Sequence, residues 1–287
     1  MVQGPDGHVI SRVGPVAALG LAAGAVLCGA WSMRLAGVAS ARPLVNLGAA
    51  ALGIAFCVFL APRLRGALED RAQLALWIAA GLAGLPWLVD FGGQTHRWIP
   101  VGPLSVHTGA LAAPLVLFGI AHEAGERRRR VALLPLFLLA FQPDAGTTTA
   151  LGCAVLALAV LGLNTGTVLV GASLGAVAFA WTRPAPTLRV PEVEDAFALA
   201  FRASPWLGAL AVALVLGLVA SCAAVGIARR GGGARSAIPA AVLLAVLFAL
   251  PSLAAYPVPL VGYGASQVLG VFLVLGLAVP RERHARV

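Results

Sequence analysis

The chain has 287 residues, of which 60% are hydrophobic and only 11% are charged, and its mean hydropathy is +0.93. A soluble domain carries about a quarter charged residues, so the composition excludes an ordinary soluble protein and indicates an integral membrane protein with several apolar segments. The net charge of +9 would also suit a nucleic-acid-binding protein. That class is excluded because the arginines lie in short segments between apolar runs, as membrane topology requires.

The apolar segments predict an all-α fold, a polytopic membrane bundle of about ten transmembrane helices that forms one domain over residues 1–287. Several segments are shorter than the roughly 20 residues that a straight span needs, so they must thin the bilayer or lie beside buried irregular backbone. The predicted helices are, in chain order, Val13–Trp31, Pro43–Leu60, Gln73–Val89, Thr108–Ala121, Val131–Phe141, Thr147–Leu163, Thr167–Trp181, Trp206–Ala228, Ala237–Ala254 and Ser266–Val279.

The arginines orient these spans. With both termini inside, the inner segments hold more than twice as many arginines as the outer segments, which favours an N-in, C-in topology. Residues 1–12 are then a cytoplasmic N-terminus, 183–205 an outer loop and 280–287 a cytoplasmic tail. Four irregular polar segments fall on the outer face, and we expect them to converge on one site: Asp90–His107, Gln142–Asp144, Arg183–Pro205 and Tyr256–Gly264.

The segment Phe141–Thr149, with the sequence Phe-Gln-Pro-Asp-Ala-Gly-Thr-Thr-Thr, separates two of the predicted helices. Pro143 ends a helix because its nitrogen carries no hydrogen to donate. Asp144 would be costly at membrane depth unless it faced protein or water. The spacing alone leaves two interpretations open, a structured site or an ordinary turn outside the membrane.

Arg97 and Trp98 carry the chemistry of the first outer segment. An arginine can hold a phosphate through two hydrogen bonds, and a tryptophan suits the headgroup boundary of a bilayer. The alternative is that Arg97 reaches toward the interface or pairs with Asp90, and that Trp98 belongs to an aromatic belt.

The other two outer segments also offer polar groups. Residues Arg183–Pro205 combine arginines with carboxylates, which suits general-base chemistry or a metal bound to pyrophosphate; the alternative is a solvated loop whose charges pair with one another. Tyr263 and Ser266 offer hydroxyls in the bent segment before the last helix, where plain loop packing is the alternative. The cysteines show no metal-ligand spacing and are predicted to be small packing residues: Cys28, Cys57, Cys153 and Cys222.

Three motifs, in this order, resemble those of the SEDS family, the shape, elongation, division and sporulation proteins of the FtsW/RodA/SpoVE type. Arg97–Pro103 is similar to the family's Arg-Trp-Ile followed by a Gly-containing loop. Gln142–Thr147 matches the family's Gln-Pro-Asp-Leu-Gly-Thr except at Ala145, and Pro259–Ser266 is similar to its Pro-x-x-Ser-Tyr-Gly-Gly-Ser. The resemblance covers the chain from about Asp90 onward.

The resemblance implies a peptidoglycan glycosyltransferase at the outer face of the bacterial cytoplasmic membrane, acting in cell division or the maintenance of cell shape. Its substrate would be lipid II, a polyprenyl-pyrophosphate sugar, and its partner a class B penicillin-binding protein. A divalent cation, Mg²⁺ or Mn²⁺, could neutralise the leaving group. A non-catalytic scaffold and a protein that binds or flips a lipid-linked sugar are the alternatives.

The family's catalytic Asp lies in a Leu-Pro-Glu-x-His-Thr-Asp-Phe pattern, to which Val190–Phe197 is similar. An ungapped register places Ala196 at that position, and a one-residue slip places Asp195 there, so Asp195 is the predicted catalytic base. The other predicted site residues are Arg97, Trp98, Arg189, Glu192, Tyr263 and Ser266 for substrate binding, and Gln142, Pro143, Asp144, Gly146 and Thr147 as a structural motif.

Two departures from the family leave catalysis open. Where the family has Gln-Pro-Ser-Glu followed by a Lys, this chain has His107-Thr108-Gly109-Ala110 followed by Ala113. The outer loop is also shorter than in the family and lacks its Gly-rich stretch.

Overall fold

The computed structural model describes residues 5–89, 97–102, 104–123, 125, 129–162, 165–183, 190–228 and 236–279, with side chains from residue 13 onward. Arg189, Asp90 and the predicted tail 280–287 lie outside the described residues. The helices are α1 (Pro5–Leu35), α2 (Ala41–Ala55), α3 (Ala61–Glu69), α4 (Ala72–Leu88), α5 (Thr108–His122), α6 (Leu133–Phe141), α7 (Ala145–Val160), α8 (Thr167–Trp181), α9 (Ala196–Ala203), α10 (Pro205–Ala228), α11 (Ala237–Ala249) and α12 (Ala265–Ala278).

The structure is a polytopic helical membrane protein, and each predicted apolar segment is a helix in it. Helices α2 and α3 are joined by a π-helical turn, Phe56–Leu60, into one apolar helix over Ala41–Glu69. By length and composition, that helix, Val13–Leu35 and Pro205–Ala228 are each able to cross a membrane, and the remaining apolar helices are shorter. Short 3-10 segments precede α6 and follow α11, at Arg130–Ala132 and Leu250–Ser252.

Small residues let the helices approach closely, which accounts for the abundance of glycine and alanine. Helix α5 packs against α12, where a Cβ at Gly270 would lie 2.4 Å from the carbonyl oxygen of Ala110. Helix α1 packs against α10 through Gly24 and Gly217, which receive the side chains of Leu214 and Leu21. Three of the four cysteines are buried among such contacts: Cys28, Cys57 and Cys222.

A short β-hairpin was not expected from the sequence. Strands β1 (Trp98–Val101) and β2 (Leu104–His107) pair antiparallel, with Trp98 opposite His107. Gly102 has a φ of +59° in the connecting turn, a conformation that favours glycine. The all-α prediction therefore holds for the bundle, while this hairpin is an additional element between α4 and α5.

The irregular segments meet at one end of the bundle, here called the cavity end. The Asn46 amide on α2 donates to the Gly262 carbonyl at 2.8 Å and accepts from the Gly264 N–H at 3.0 Å. The outer loop is joined to the segment before α12 by two backbone bonds, from the Val258 N–H to the Val193 carbonyl and from the Tyr263 N–H to the Glu192 carbonyl. Because these bonds link segments far apart in the sequence, the fold holds the polar groups of the cavity end together.

Candidate functional site

A cavity with about 80 Å³ of solvent-accessible space lies at the cavity end. It has room for several water molecules or for one small charged group. Its walls are mainly apolar side chains from α5, α11 and α12, and polar groups reach it from all four irregular segments. The polar lining residues are Arg97, Trp98, His107, Asp144, Thr147, Glu194, Tyr256 and Gln267.

Arg97 joins the hairpin to the break between α6 and α7. Its side chain is only 5% exposed, its Nε donates to the Gln142 carbonyl at 3.1 Å, and its Nη2 donates to the Pro143 carbonyl. Gln142 and Pro143 lie between α6 and α7, so Arg97 binds carbonyls at the helix break. Part of the guanidinium is thus used within the protein, and the rest of it lines the cavity.

Asp144 caps helix α7. Its Oδ1 accepts a hydrogen bond from the Thr147 N–H at 3.1 Å, which satisfies one of the free donors at a helix start. Gln142 beside it is buried and donates to the Ala83 carbonyl on α4. A Cβ at Gly146 would lie 2.5 Å from Cδ1 of the Tyr256 ring. This motif therefore forms one wall of the cavity. Asp144 is only 2% exposed, so it does not lie in an open turn.

His107 and Asp144 form a buried pair that faces the cavity. The two atoms His107 Nε2 and Asp144 Oδ2 are 3.4 Å apart. His107 Nδ1 accepts from the Ala110 N–H at 3.1 Å, so in the neutral ring the proton sits on Nε2, the nitrogen near the carboxylate, without a hydrogen bond to Asp144 Oδ2. Burial lowers the pKa of His107; Asp144 opposes this shift and Arg97 adds to it. A neutral His107 is therefore favoured.

The outer loop places Glu194, rather than Asp195, at the cavity. Residues Val190–Asp195 form a turn in which the Val193 and Glu194 N–H groups both donate to the Val190 carbonyl. Glu194 lines the cavity, and its Oε2 accepts from the Val190 N–H at 2.6 Å. Asp195 is half-buried at the N-cap position of α9. This turn determines which side chain of the loop faces the cavity, while the assignment of Asp195 as the catalytic base stays a prediction.

Of the remaining predicted binding residues that the structure describes, Trp98 lines the cavity, whereas Glu192, Tyr263 and Ser266 are not among its lining residues. Glu192 forms an ion pair with Arg42, whose guanidinium lies 5.6 Å from the centroid of the Tyr263 ring. Ser266 accepts from the His107 N–H at 3.0 Å and donates to Gln267 Oε1 at 3.1 Å. Trp98 lines the cavity, and its ring meets the His107 ring edge-to-face, with centroids 4.7 Å apart.

Four cavity residues were not predicted as site residues: His107, Glu194, Tyr256 and Gln267. Tyr256 and Gln267 lie within or beside the predicted irregular segment that contains Tyr263. His107 stands where the family has a Gln. Their positions in or next to the motifs could therefore have identified these residues from the sequence. Burial raises the pKa of the Tyr256 hydroxyl, and the charge of Asp144 raises it further while Arg97 lowers it. Tyr256 therefore stays protonated and able to donate a hydrogen bond.

Among the described residues, no three His, Cys, Asp or Glu side chains come close enough together to hold an ion. A divalent cation at this site stays a prediction, since Mg²⁺ is usually held by one or two carboxylates together with substrate phosphates. The carboxylates of Asp144 and Glu194 share the cavity with Arg97, whose positive charge already occupies it.

Comparison with solved structures identifies the architecture. The rod shape determining protein RodA of Thermus thermophilus matches with a TM-score of 0.70, both in its unmodified form at 20% identity and as a point mutant at 19% identity. Each match covers 91% of this chain, and 94% and 95% of the two RodA chains respectively. The chain has the RodA fold.

The RodA likeness lies in the fold and not in the overall sequence. No protein-family model matches the chain, and no curated protein matches its sequence. The RodA match nevertheless spans nearly the whole of both chains, so the likeness is one of the overall architecture.

Proposed function

We propose that this chain is a SEDS-type membrane protein that binds a polyprenyl-pyrophosphate sugar such as lipid II at the cavity end and transfers its glycan to an acceptor hydroxyl. The observation that carries the proposal is the convergence of the three family-like motifs and the outer loop on one cavity, whose mainly apolar walls carry several polar side chains. The RodA fold supports it. The site lies, by the arginine distribution, on the outer side of the bacterial cytoplasmic membrane.

The proposed reaction needs a cation for the pyrophosphate and a base for the acceptor. Arg97 is the cation that lines the cavity, and Arg189 is the second predicted one. A carboxylate takes the proton of the acceptor hydroxyl, a bond forms between that oxygen and the anomeric carbon, and the bond from this carbon to pyrophosphate breaks. Glu194 lines the cavity and Asp195 follows it, so these two are the candidate bases.

Polymerisation of labelled lipid II by the purified protein tests the proposal, alone and with its cognate class B penicillin-binding protein. We expect glycan strands, and a loss of at least 100-fold on changing the base to its amide, since general-base groups contribute roughly 10²–10⁴-fold. Glu194→Gln and Asp195→Asn separate the two candidates. The absence of polymer from folded protein in both settings would rule out catalysis.

A non-catalytic binding protein is the second candidate. Ala110 and Ala113 line the cavity at the positions where the family carries a Glu and a Lys, and Arg97 already donates to two backbone carbonyls. A protein of this kind would bind lipid II without forming polymer, and Glu194→Gln with Asp195→Asn would leave cell growth unchanged in a complementation assay. Accumulation of substrate across a vesicle membrane would instead identify a flippase.

A further inference from the structure

Arg65 is a buried cation at the end of the bundle opposite the cavity end. It lies on α3 and is 8% exposed. Its Nε donates to Glu69 Oε1 at 2.6 Å, but its buried Nη1 has no hydrogen-bond partner among the described residues. Leaving a buried charged donor without an acceptor is unfavourable. The position therefore favours a further acceptor from outside the described residues.

A second cavity lies beside this guanidinium, between α1, α3 and α12. It contains about 180 Å³ of solvent-accessible space. Arg65 and Glu69 are its charged lining residues, and most of its other walls are apolar, among them Leu19 on α1 and Leu275 on α12. A space with a cation at one point and hydrocarbon walls is complementary to an amphiphile with an anionic head.

The shape of this cavity depends on an irregular helix. The π-helical turn Phe56–Leu60 leads directly into α3, and π-helical turns are frequent at functional sites. Cys57 Sγ donates to the Phe272 carbonyl at 3.1 Å, and a Cβ at Gly276 would lie 2.6 Å from the Phe56 ring. Helix α12 is thus held tightly against the π turn, and the cavity lies at this junction.

The charges around the cavity favour an anion of low charge. Glu69 neutralises part of the Arg65 charge, and His122 Nε2 lies 3.7 Å from Glu69 Oε1. Arg63 and Arg71 are exposed close by in the sequence. This is the end that the arginine distribution places inside, next to the leaflet whose anionic lipids attract basic residues.

We propose that this cavity binds an anionic phospholipid, with its phosphate at the Arg65 guanidinium and part of an acyl chain along Leu19 and Leu275. A free phosphate would satisfy the guanidinium but would leave the apolar walls unfilled. A neutral lipid would fill the walls but would leave Nη1 without an acceptor of opposite charge. The site is separate from the cavity end, so the proposal does not rest on the proposed function.

Thermal unfolding of the full chain in detergent, titrated with phosphatidylglycerol, phosphatidylcholine or inorganic phosphate, tests this site. We expect phosphatidylglycerol to raise Tm by about 5 °C near saturation, phosphatidylcholine to raise it by less than half as much, and phosphate to leave it unchanged. Arg65→Gln should remove most of the phosphatidylglycerol shift. Arg63→Gln, which removes an exposed arginine two residues away, is the matched control and should retain it.

A filled-cavity variant keeps the test decisive if Arg65→Gln does not fold. Leu19→Trp retains Arg65 and adds volume at a half-buried position of the wall, so it should also lose the shift. An unchanged shift in Arg65→Gln or in Leu19→Trp would overturn the proposal. A shift produced equally by inorganic phosphate would show a site for free anions and would overturn the assignment to a lipid.

Discussion

The two carboxylate oxygens of Asp144 make different contacts, so their separate contributions to stability can be measured. One oxygen caps α7 at the Thr147 N–H, and the other faces His107. We expect Asp144→Ala to lose both contacts and to lower the free energy of unfolding by about 1–2 kcal/mol. Asp144→Asn can keep the cap through its side-chain oxygen but places its NH2 group against His107 Nε2, so it retains one of the two contacts and should cost less than the alanine. Thermal unfolding in detergent measures the order, and an alanine variant as stable as the native chain would contradict the capping role.

His107 makes the stability of the protein depend on pH. Burial lowers the pKa of His107 in the folded state. At a pH between this folded pKa and the ordinary value of about 6.5, His107 is therefore protonated mainly in the unfolded chain. The contribution of neutral His107 to the free energy of unfolding is therefore fully present above about pH 6.5. It is lost as the pH falls, at up to about 1.4 kcal/mol per pH unit.

Unfolding measured from pH 8 to pH 5 tests this dependence against His107→Gln. A glutamine can accept the Ala110 N–H that His107 Nδ1 accepts at 3.1 Å, but it does not titrate. We expect the variant to lose less stability than the native chain as the pH falls. Parallel curves for the two proteins would assign the acid sensitivity to other groups.

At the scale of elements, the helices were predictable and the β1–β2 hairpin was not. Long apolar runs bounded by Arg, Gly and Pro define the spans, and each of the ten is helical. The β1–β2 hairpin has four residues in each strand and a Pro100 within it, which is too short for a period-2 pattern to show. Its register depends on contacts with distant residues, such as the bond from the His107 N–H to Ser266.

Close helix packing predicts a sharp contrast between two glycines. A Cβ at Gly270 would lie 2.4 Å from the Ala110 carbonyl oxygen, which belongs to the backbone of α5, whereas a Cβ at Gly81 on α4 would meet nothing within 4 Å. Gly270→Ala should force α5 and α12 apart and destabilise the protein by about 1–3 kcal/mol. Gly81→Ala should leave stability unchanged or slightly raised. Equal unfolding temperatures for the two variants would contradict the packing.

At the scale of the whole molecule, the sequence predicted where the site lies better than which carboxylate faces it. Motif order and topology brought Arg97, Trp98 and Asp144 to one end, and all three line the cavity. Which loop carboxylate faces the cavity depends on the turn after Val190, whose carbonyl accepts two backbone N–H groups. A shift of one residue in such a turn rotates a different side chain inward, and neither composition nor spacing determines it.

The arginine distribution predicts that the cavity end faces outward, and cysteine labelling can test this for the whole bundle. Ser252 is exposed beside the cavity end, and Asp70 is exposed after α3 at the opposite end. In intact spheroplasts, a membrane-impermeant maleimide should label Ser252→Cys at once and Asp70→Cys only after permeabilisation. The native chain controls for Cys28, Cys57, Cys153 and Cys222, which are buried or half-buried. The reverse pattern would place the cavity on the cytoplasmic side, where a polymerase of an exported glycan could not use it.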